Sequence, residues 1–115
     1  MIGIDIVAIN RIEKSIEKFG DKAKNRFMSQ NEQNWAIKIE SIAGIWASKE
    51  AFSKAIGYGI GKEFSFLDIE ILKLPTGKPY INIISPKLKK MLKNKTIDIS
   101  ITHDGGFAIS AIIIL

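Results

Sequence analysis

Glu50 and Lys54 stand four residues apart in the stretch Trp46-Ala47-Ser48-Lys49-Glu50-Ala51-Phe52-Ser53-Lys54-Ala55-Ile56-Gly57. The stretch has no proline, is rich in good helix formers and ends on a glycine suited to a left-handed C-cap, so it reads as a helix. At that spacing the two side chains lie one above the other on one face. A carboxylate beside an ammonium could hold a cation and a phosphate together. On a solvated face the same pair is an ordinary ion pair that stabilises by about 0.3–0.5 kcal/mol. Two more residues bear on that choice. Asp5 interrupts an otherwise apolar N-terminal strand, where a carboxylate needs a partner. It is a metal ligand, or else it takes an exposed edge position or a structural hydrogen bond. His103, the only histidine, stands at the end of a C-terminal strand, as a site residue or a structural one.

The elements that must position these groups follow from periodicity. Residues 1–7 alternate as a strand, with Ile2, Ile4 and Ile6 on one face and Gly3, Asp5 and Val7 on the other. From Ala8 to about Lys18 the period becomes helical. Ile9, Ile12, Ile16 and Phe19 form a buried stripe, while Arg11, Lys14 and Lys18 form a basic face. That face is either solvated or a dock for an acidic partner. Ser29-Gln30-Asn31-Glu32 has the form of a capping box and opens a helix through Trp35, Ile37 and Ile39. In the central helix Ala43, Ala47, Ala51 and Ala55 make a row of small side chains that admits another element closely. Lys49, Glu50, Ser53, Lys54 and Trp46 occupy the opposite arc.

Gly57-Tyr58-Gly59-Ile60-Gly61 follows the helix and lacks the features of a phosphate-binding P-loop. Residues 64–74 alternate again, with Leu67, Ile69 and Ile71 inward and Asp68 and Glu70 outward. Pro75-Thr76-Gly77-Lys78-Pro79 turns the chain into a strand at Tyr80–Ile84, and Ser85-Pro86 opens a short basic helix. A strand at 97–102, an Asp104-Gly105-Gly106 turn and a last strand from Phe107 to Leu115 complete the chain. The last strand is apolar on both faces, so it is expected to be central or covered at an oligomer interface.

Composition limits the function classes. At 115 residues with 46% hydrophobic content the chain suits one globular domain. It has no cysteine, which removes disulfides and thiolate metal sites. No run is long enough to span a bilayer, and the N-terminus lacks the basic region of a secretory signal, so a soluble cytoplasmic protein with no membrane partner is expected. The net charge of +5 favours an acidic partner without selecting one. A nucleic-acid module would interleave basic residues with exposed aromatics on a sheet, whereas here the strands pair isoleucines with acids and the lysines lie mainly on helices. No nucleic-acid partner is therefore expected. A purely structural oligomerisation domain would tolerate alanine at Asp5, Glu50, Lys54 and His103.

Taken in order, the motifs resemble the short bacterial 4′-phosphopantetheinyl transferases over nearly the whole chain. The residues carrying the resemblance are Gly3-Ile4-Asp5-Ile6-Val7 with Arg11-Ile12, then Trp46 to Ala55, Gly57 to Gly61, Asp68-Ile69-Glu70-Ile71, Gly77-Lys78-Pro79-Tyr80 and Ser100-Ile101-Thr102-His103. Two positions depart from it. Ile45 stands where many members are basic, and Tyr58 where a small hydroxyl residue is usual, both at the nucleotide end of the expected ligand.

The resemblance implies an α+β fold: an antiparallel-rich sheet packed against a long central helix and shorter helices, in one domain over residues 1–115. It implies transfer of phosphopantetheine from coenzyme A to a serine of apo acyl carrier protein, with Mg²⁺ as cofactor. Asp5 and Glu50 would be the metal ligands, and Glu50 and Lys54 the catalytic groups, with Glu50 the proton acceptor and Lys54 on a phosphate. Lys49, Lys54, Gly59 and His103 would contact coenzyme A. Arg11, Lys14 and Lys18 would receive the acidic carrier. Homotrimers with active sites between subunits complete the expectation.

Overall fold

A computed structural model describes residues 1–115. The chain runs β1 (Ile2–Ala8), α1 (Ile9–Phe19), α2 (Asp21–Phe27), α3 (Gln30–Trp35), α4 (Ile39–Ile56), a 3-10 turn (Phe66–Asp68), β2 (Ile69–Lys73), β3 (Pro79–Ile83), α5 (Pro86–Met91), β4 (Ile97–Asp104) and β5 (Phe107–Ile114). The architecture is the expected α+β, with every strand pair antiparallel. The strands divide into a three-stranded sheet in the order β1-β5-β4 and a separate β2–β3 hairpin. α4 packs across the inner face of the larger sheet.

α4 is longer than its propensity pattern. It begins at Ile39, ahead of the alanine row, and continues through Gly44 because Ile42, Ala43, Gly44 and Ile45 are all buried. Tertiary packing outweighs the weak helix preference of that glycine. A Cβ at Gly44 would come within 3.0 Å of the Ile101 side chain, so the glycine also lets β4 approach. The helix stops as expected at Gly57, which is left-handed with φ 81°.

The alanine row does admit another element, and that element is β1. A Cβ on Gly3 would lie 1.9 Å from the Ala51 carbonyl oxygen and 2.7 Å from the Ala55 nitrogen. Only a glycine fits this contact. It turns the face of Gly3, Asp5 and Val7 towards α4 and leaves Ile2, Ile4 and Ile6 outward, exposed by 71, 61 and 57%. Alternation supplies two faces; the glycine decides which one meets the helix. β5 is central, as its composition requires. Its inner residues Ala108, Ser110, Ile112 and Ile114 are buried, and Phe107 and Ile113 are exposed on the outer side.

Other expectations change at element ends. α2 is an added helix that the periodicity does not mark, although Asp21 in its first turn and Lys24 and Arg26 in its last complement the helix dipole. Phe19 lies outside the buried stripe of α1 and is exposed, because the chain turns at Gly20 into α2. α3 has the capping box at Ser29 and Glu32 but ends at Trp35. Leu67 falls in the 3-10 turn and is exposed, while Glu70 keeps the face opposite Ile69 and Ile71 but is buried, because that face of β2 is covered as well. No helix is long and apolar enough to cross a membrane.

Candidate active site

β1 and α4 bring together Asp5, Glu50 and Lys54. The Lys54 Nζ donates hydrogen bonds to Asp5 Oδ1 at 3.0 Å and to the Ile4 carbonyl oxygen at 3.1 Å. Lys54 is largely exposed, but the Asp5 side chain is only 16% exposed, so this pair is more than a solvated surface contact. Partial burial, and then the negative charge of Asp5, push the Glu50 carboxyl above its ordinary range, while Lys54 and Arg11 pull it back. Asp5 and Glu50 thus repel one another, and Lys54 and Arg11 offset part of that repulsion.

A divalent cation would relieve that repulsion. The donors are hard oxygens, and no group of three or more histidine, cysteine or acidic side chains exists to build an all-protein cage. Two carboxylates that leave the rest of a coordination shell to phosphate oxygens and water suit Mg²⁺.

Lys49 does not join this group. Its side chain is fully buried, on the other side of α4 from solvent, and all three of its protons are used. They go to Glu32 Oε1 at 2.8 Å, the Phe27 carbonyl oxygen at 2.6 Å and the Phe66 carbonyl oxygen at 2.7 Å. Glu32 in turn accepts from the Ser29 and Ile71 backbone nitrogens. The residue expected on coenzyme A is thus the hub of a buried network joining α2, α3, the 3-10 turn and β2 to α4. Ser53 is also buried, so the arc opposite the alanine row is not an open polar face. The sequence signal for the hub's counter-ion was the capping-box glutamate itself; its second role depends on a partner 17 residues away.

His103 is exposed and lines a hollow of about 600 Å³ with Asn10, Glu13, Glu40, Asp104 and Gly106. Its β5 partner is Ala108, opposite Val7, whereas Asp5 lies opposite Ser110. His103 is therefore two strands across and two residues along from Asp5, about 12 Å between backbones. Glu40, beside it, is about 15 Å along α4 from Glu50. Within one chain, His103 and the Asp5–Glu50–Lys54 group do not meet. A Cβ at Gly59 would touch nothing, so the fold itself does not require glycine there. Ile45 is fully buried in the core and cannot face a nucleotide; Tyr58 is exposed.

Arg11, Lys14 and Lys18 are exposed along α1. Arg11 lies over the Trp46 ring at 5.7 Å, and Trp46 packs edge-on against Phe27 at 5.3 Å. Between α1 and α2 this leaves a groove of about 340 Å³, floored by Ile12, Ile16 and Phe27 and bordered by Arg11, Lys22 and Arg26. Arg11 belongs both to this groove and to the electrostatic surroundings of Glu50.

A family model described as the 4′-phosphopantetheinyl transferase superfamily matches residues 1–112. The holo-[acyl-carrier-protein] synthase of Campylobacter hominis is 53% identical, covering 99% of this chain and 96% of the relative. That of Nautilia profundicola is also 53% identical, covering 100% and 99%. Among solved structures, the Helicobacter pylori holo-[acyl-carrier-protein] synthase in complex with coenzyme A superposes with a TM-score of 0.92 at 47% identity, over 100% of both chains.

Proposed function

The chain belongs to the 4′-phosphopantetheinyl transferase superfamily, and on that premise we propose how its own residues divide the work. The enzyme transfers the 4′-phosphopantetheine group of coenzyme A to a serine of apo acyl carrier protein and releases adenosine 3′,5′-bisphosphate. The serine oxygen forms a bond to the phosphorus that carries pantetheine. The bond from that phosphorus to the bridging oxygen breaks, and the leaving bisphosphate takes the electron pair.

Asp5 and Glu50 would hold Mg²⁺. When bound, the ion supplies positive charge to the diphosphate oxygens and the departing phosphate. Glu50 takes the serine proton. Lys54, released from Asp5, pairs with a phosphate oxygen. Gly59, in the open loop after α4, lets the ligand pass close to the backbone. Arg11, Lys14 and Lys18 align the acidic carrier, and the groove beside Arg11 and Trp46 gives it an apolar foothold. Residues 1–115 act as one transferase domain, in the cytoplasm, where coenzyme A and newly made carrier meet.

The single observation that carries this reading is the gathering of Asp5, Glu50 and Lys54 at one place from segments 45 residues apart. The separation of His103 from that group supports a site completed by a second subunit in a trimer, with His103 contacting coenzyme A bound by its neighbour. Subunit mixing tests both parts. Asp5→Ala and His103→Ala trimers each lose turnover. Trimers reassembled from the two together regain part of it, because some sites contain neither change. No recovery on mixing would place His103 outside a shared site.

A further inference from the structure

The net positive charge of this protein lies away from the groups just assigned. Of its 17 lysines and arginines, five fall between Ser85 and Thr96, where there is no acid; the remaining 12 are matched by 12 aspartates and glutamates. The carrier-facing helix α1 interleaves its three basic residues with Glu13 and Glu17. The excess of +5 is thus carried by α5 and the turn after it.

Leu88 and Leu92 anchor this segment in the core, with 1 and 6% exposure. Its opposite side presents Lys87, Lys89, Lys90, Lys93 and Lys95, all exposed. Lys87 pairs with Glu63. The other four have no carboxylate within ion-pair distance. Beside them Met91 and Ile84 are exposed by 38 and 45%. The helix is already folded and held, so a partner would not have to pay for ordering it.

We propose that the α5 segment is a docking surface for the anionic face of a lipid bilayer, which holds the enzyme peripherally through Lys89, Lys90, Lys93 and Lys95 with Met91 and Ile84 as shallow apolar contacts. Three features favour a bilayer over other polyanions. The charges are all lysine, a compact point charge on a flexible stem; arginine, with the planar fork that reads phosphates and bases one by one, is absent. The segment contains no aromatic residue on which a base could stack. Exposed aliphatic side chains among lysines suit the boundary between headgroups and acyl chains. The expectation of no membrane partner weighed only spanning and secretory segments, and this surface is neither. The proposal is independent of the transferase site and does not rest on its assignment.

The test is cosedimentation of the full-length protein with large vesicles of phosphatidylcholine, with and without about one-third phosphatidylglycerol. Each lysine near an anionic surface raises partitioning about fivefold. Binding is expected only to the anionic vesicles and is expected to weaken as salt rises. Replacing Lys89, Lys90 and Lys93 together by glutamine should lower partitioning about a hundredfold. Melting temperature and transfer to a carrier in solution should stay unchanged in this variant. Lys14→Gln with Lys18→Gln should leave vesicle binding intact. Four results would overturn the proposal: no binding, equal binding to neutral vesicles, full binding by the triple variant, or tighter retention on duplex DNA than on vesicles at matched charge. Weakened coenzyme A binding in the triple variant with vesicle binding kept would reassign the lysines to the substrate.

Discussion

Glu50 and Lys49 are sequence neighbours with different tasks, and single substitutions separate them. Burial and the nearby Asp5 raise the pKa of Glu50, so its charged form costs the native state stability at pH values above that raised pKa, and the cost disappears on acidification. Glu50→Gln should therefore melt no lower than the parent at neutral pH, while losing turnover by at least a hundredfold. A clear drop in melting temperature would contradict this. Lys49 is the reverse case: removing one member of a fully buried ion pair costs about 3–5 kcal/mol. Lys49→Met should show that loss in urea unfolding, because Glu32 is left charged and unpaired. Glu70 carries the opposite pH sign. Burial pushes its carboxyl up, but hydrogen bonds from Ser29, Asn82 and Asn31 outweigh this and hold it below its ordinary 4.5. Its stabilising contribution is present above about pH 4.5 and is lost as pH falls through its lowered pKa. Glu70→Gln should flatten the acid side of the stability profile. At this scale the motif positions of Asp5, Glu50 and Lys54 were legible from the sequence. The burial of Lys49 was not, because helical spacing gives an angle on the helix and not what packs against it.

Among the elements, the contact between β1 and α4 sets the geometry of the site. Gly3 and Ala51 let the strand lie directly on the helix backbone, which places Asp5, two residues on, beside Glu50 and Lys54. Gly3→Ala must push the two apart, since the added methyl meets backbone that cannot rotate away. We expect a loss of about 1–3 kcal/mol on unfolding and weaker binding of Mn²⁺, as a spectroscopic stand-in for Mg²⁺, measured by electron paramagnetic resonance. Unchanged metal binding with the stability loss would separate the packing from the site. The alanine row announced a close approach before the structure identified β1 as its partner. The faces of β1 were legible as two sets, but alternation alone does not say which set meets α4; the isoleucine set is the outer one.

For the whole molecule, that outer face is the consequence. Ile2, Ile4 and Ile6 lie opposite Ile113, Ala111 and Ile109 across the β1–β5 ladder, forming an apolar surface on the side of the sheet away from α4. Such a continuous apolar face marks an interaction surface, and its covering by other copies of the chain would bring a second subunit to the site. Ile4→Lys with Ile6→Lys should give monomers by light scattering and lose turnover with Asp5, Glu50 and Lys54 all in place. A trimer surviving those changes would put the interface elsewhere. The C-terminal strand reads in the sequence as central or covered, and it is central; which strands share its outer face depends on pairing register, which periodicity does not specify.

Phosphopantetheine transfer at Asp5, Glu50 and Lys54 is read out by the intact mass of apo acyl carrier protein after incubation with the enzyme, coenzyme A and Mg²⁺, beside samples containing EDTA or the Glu50→Gln variant. A gain of one phosphopantetheine is expected in the complete mixture and none in either control. A gain that persists with EDTA or with the Glu50→Gln variant would contradict the assigned site, and no gain in the complete mixture would contradict the reaction.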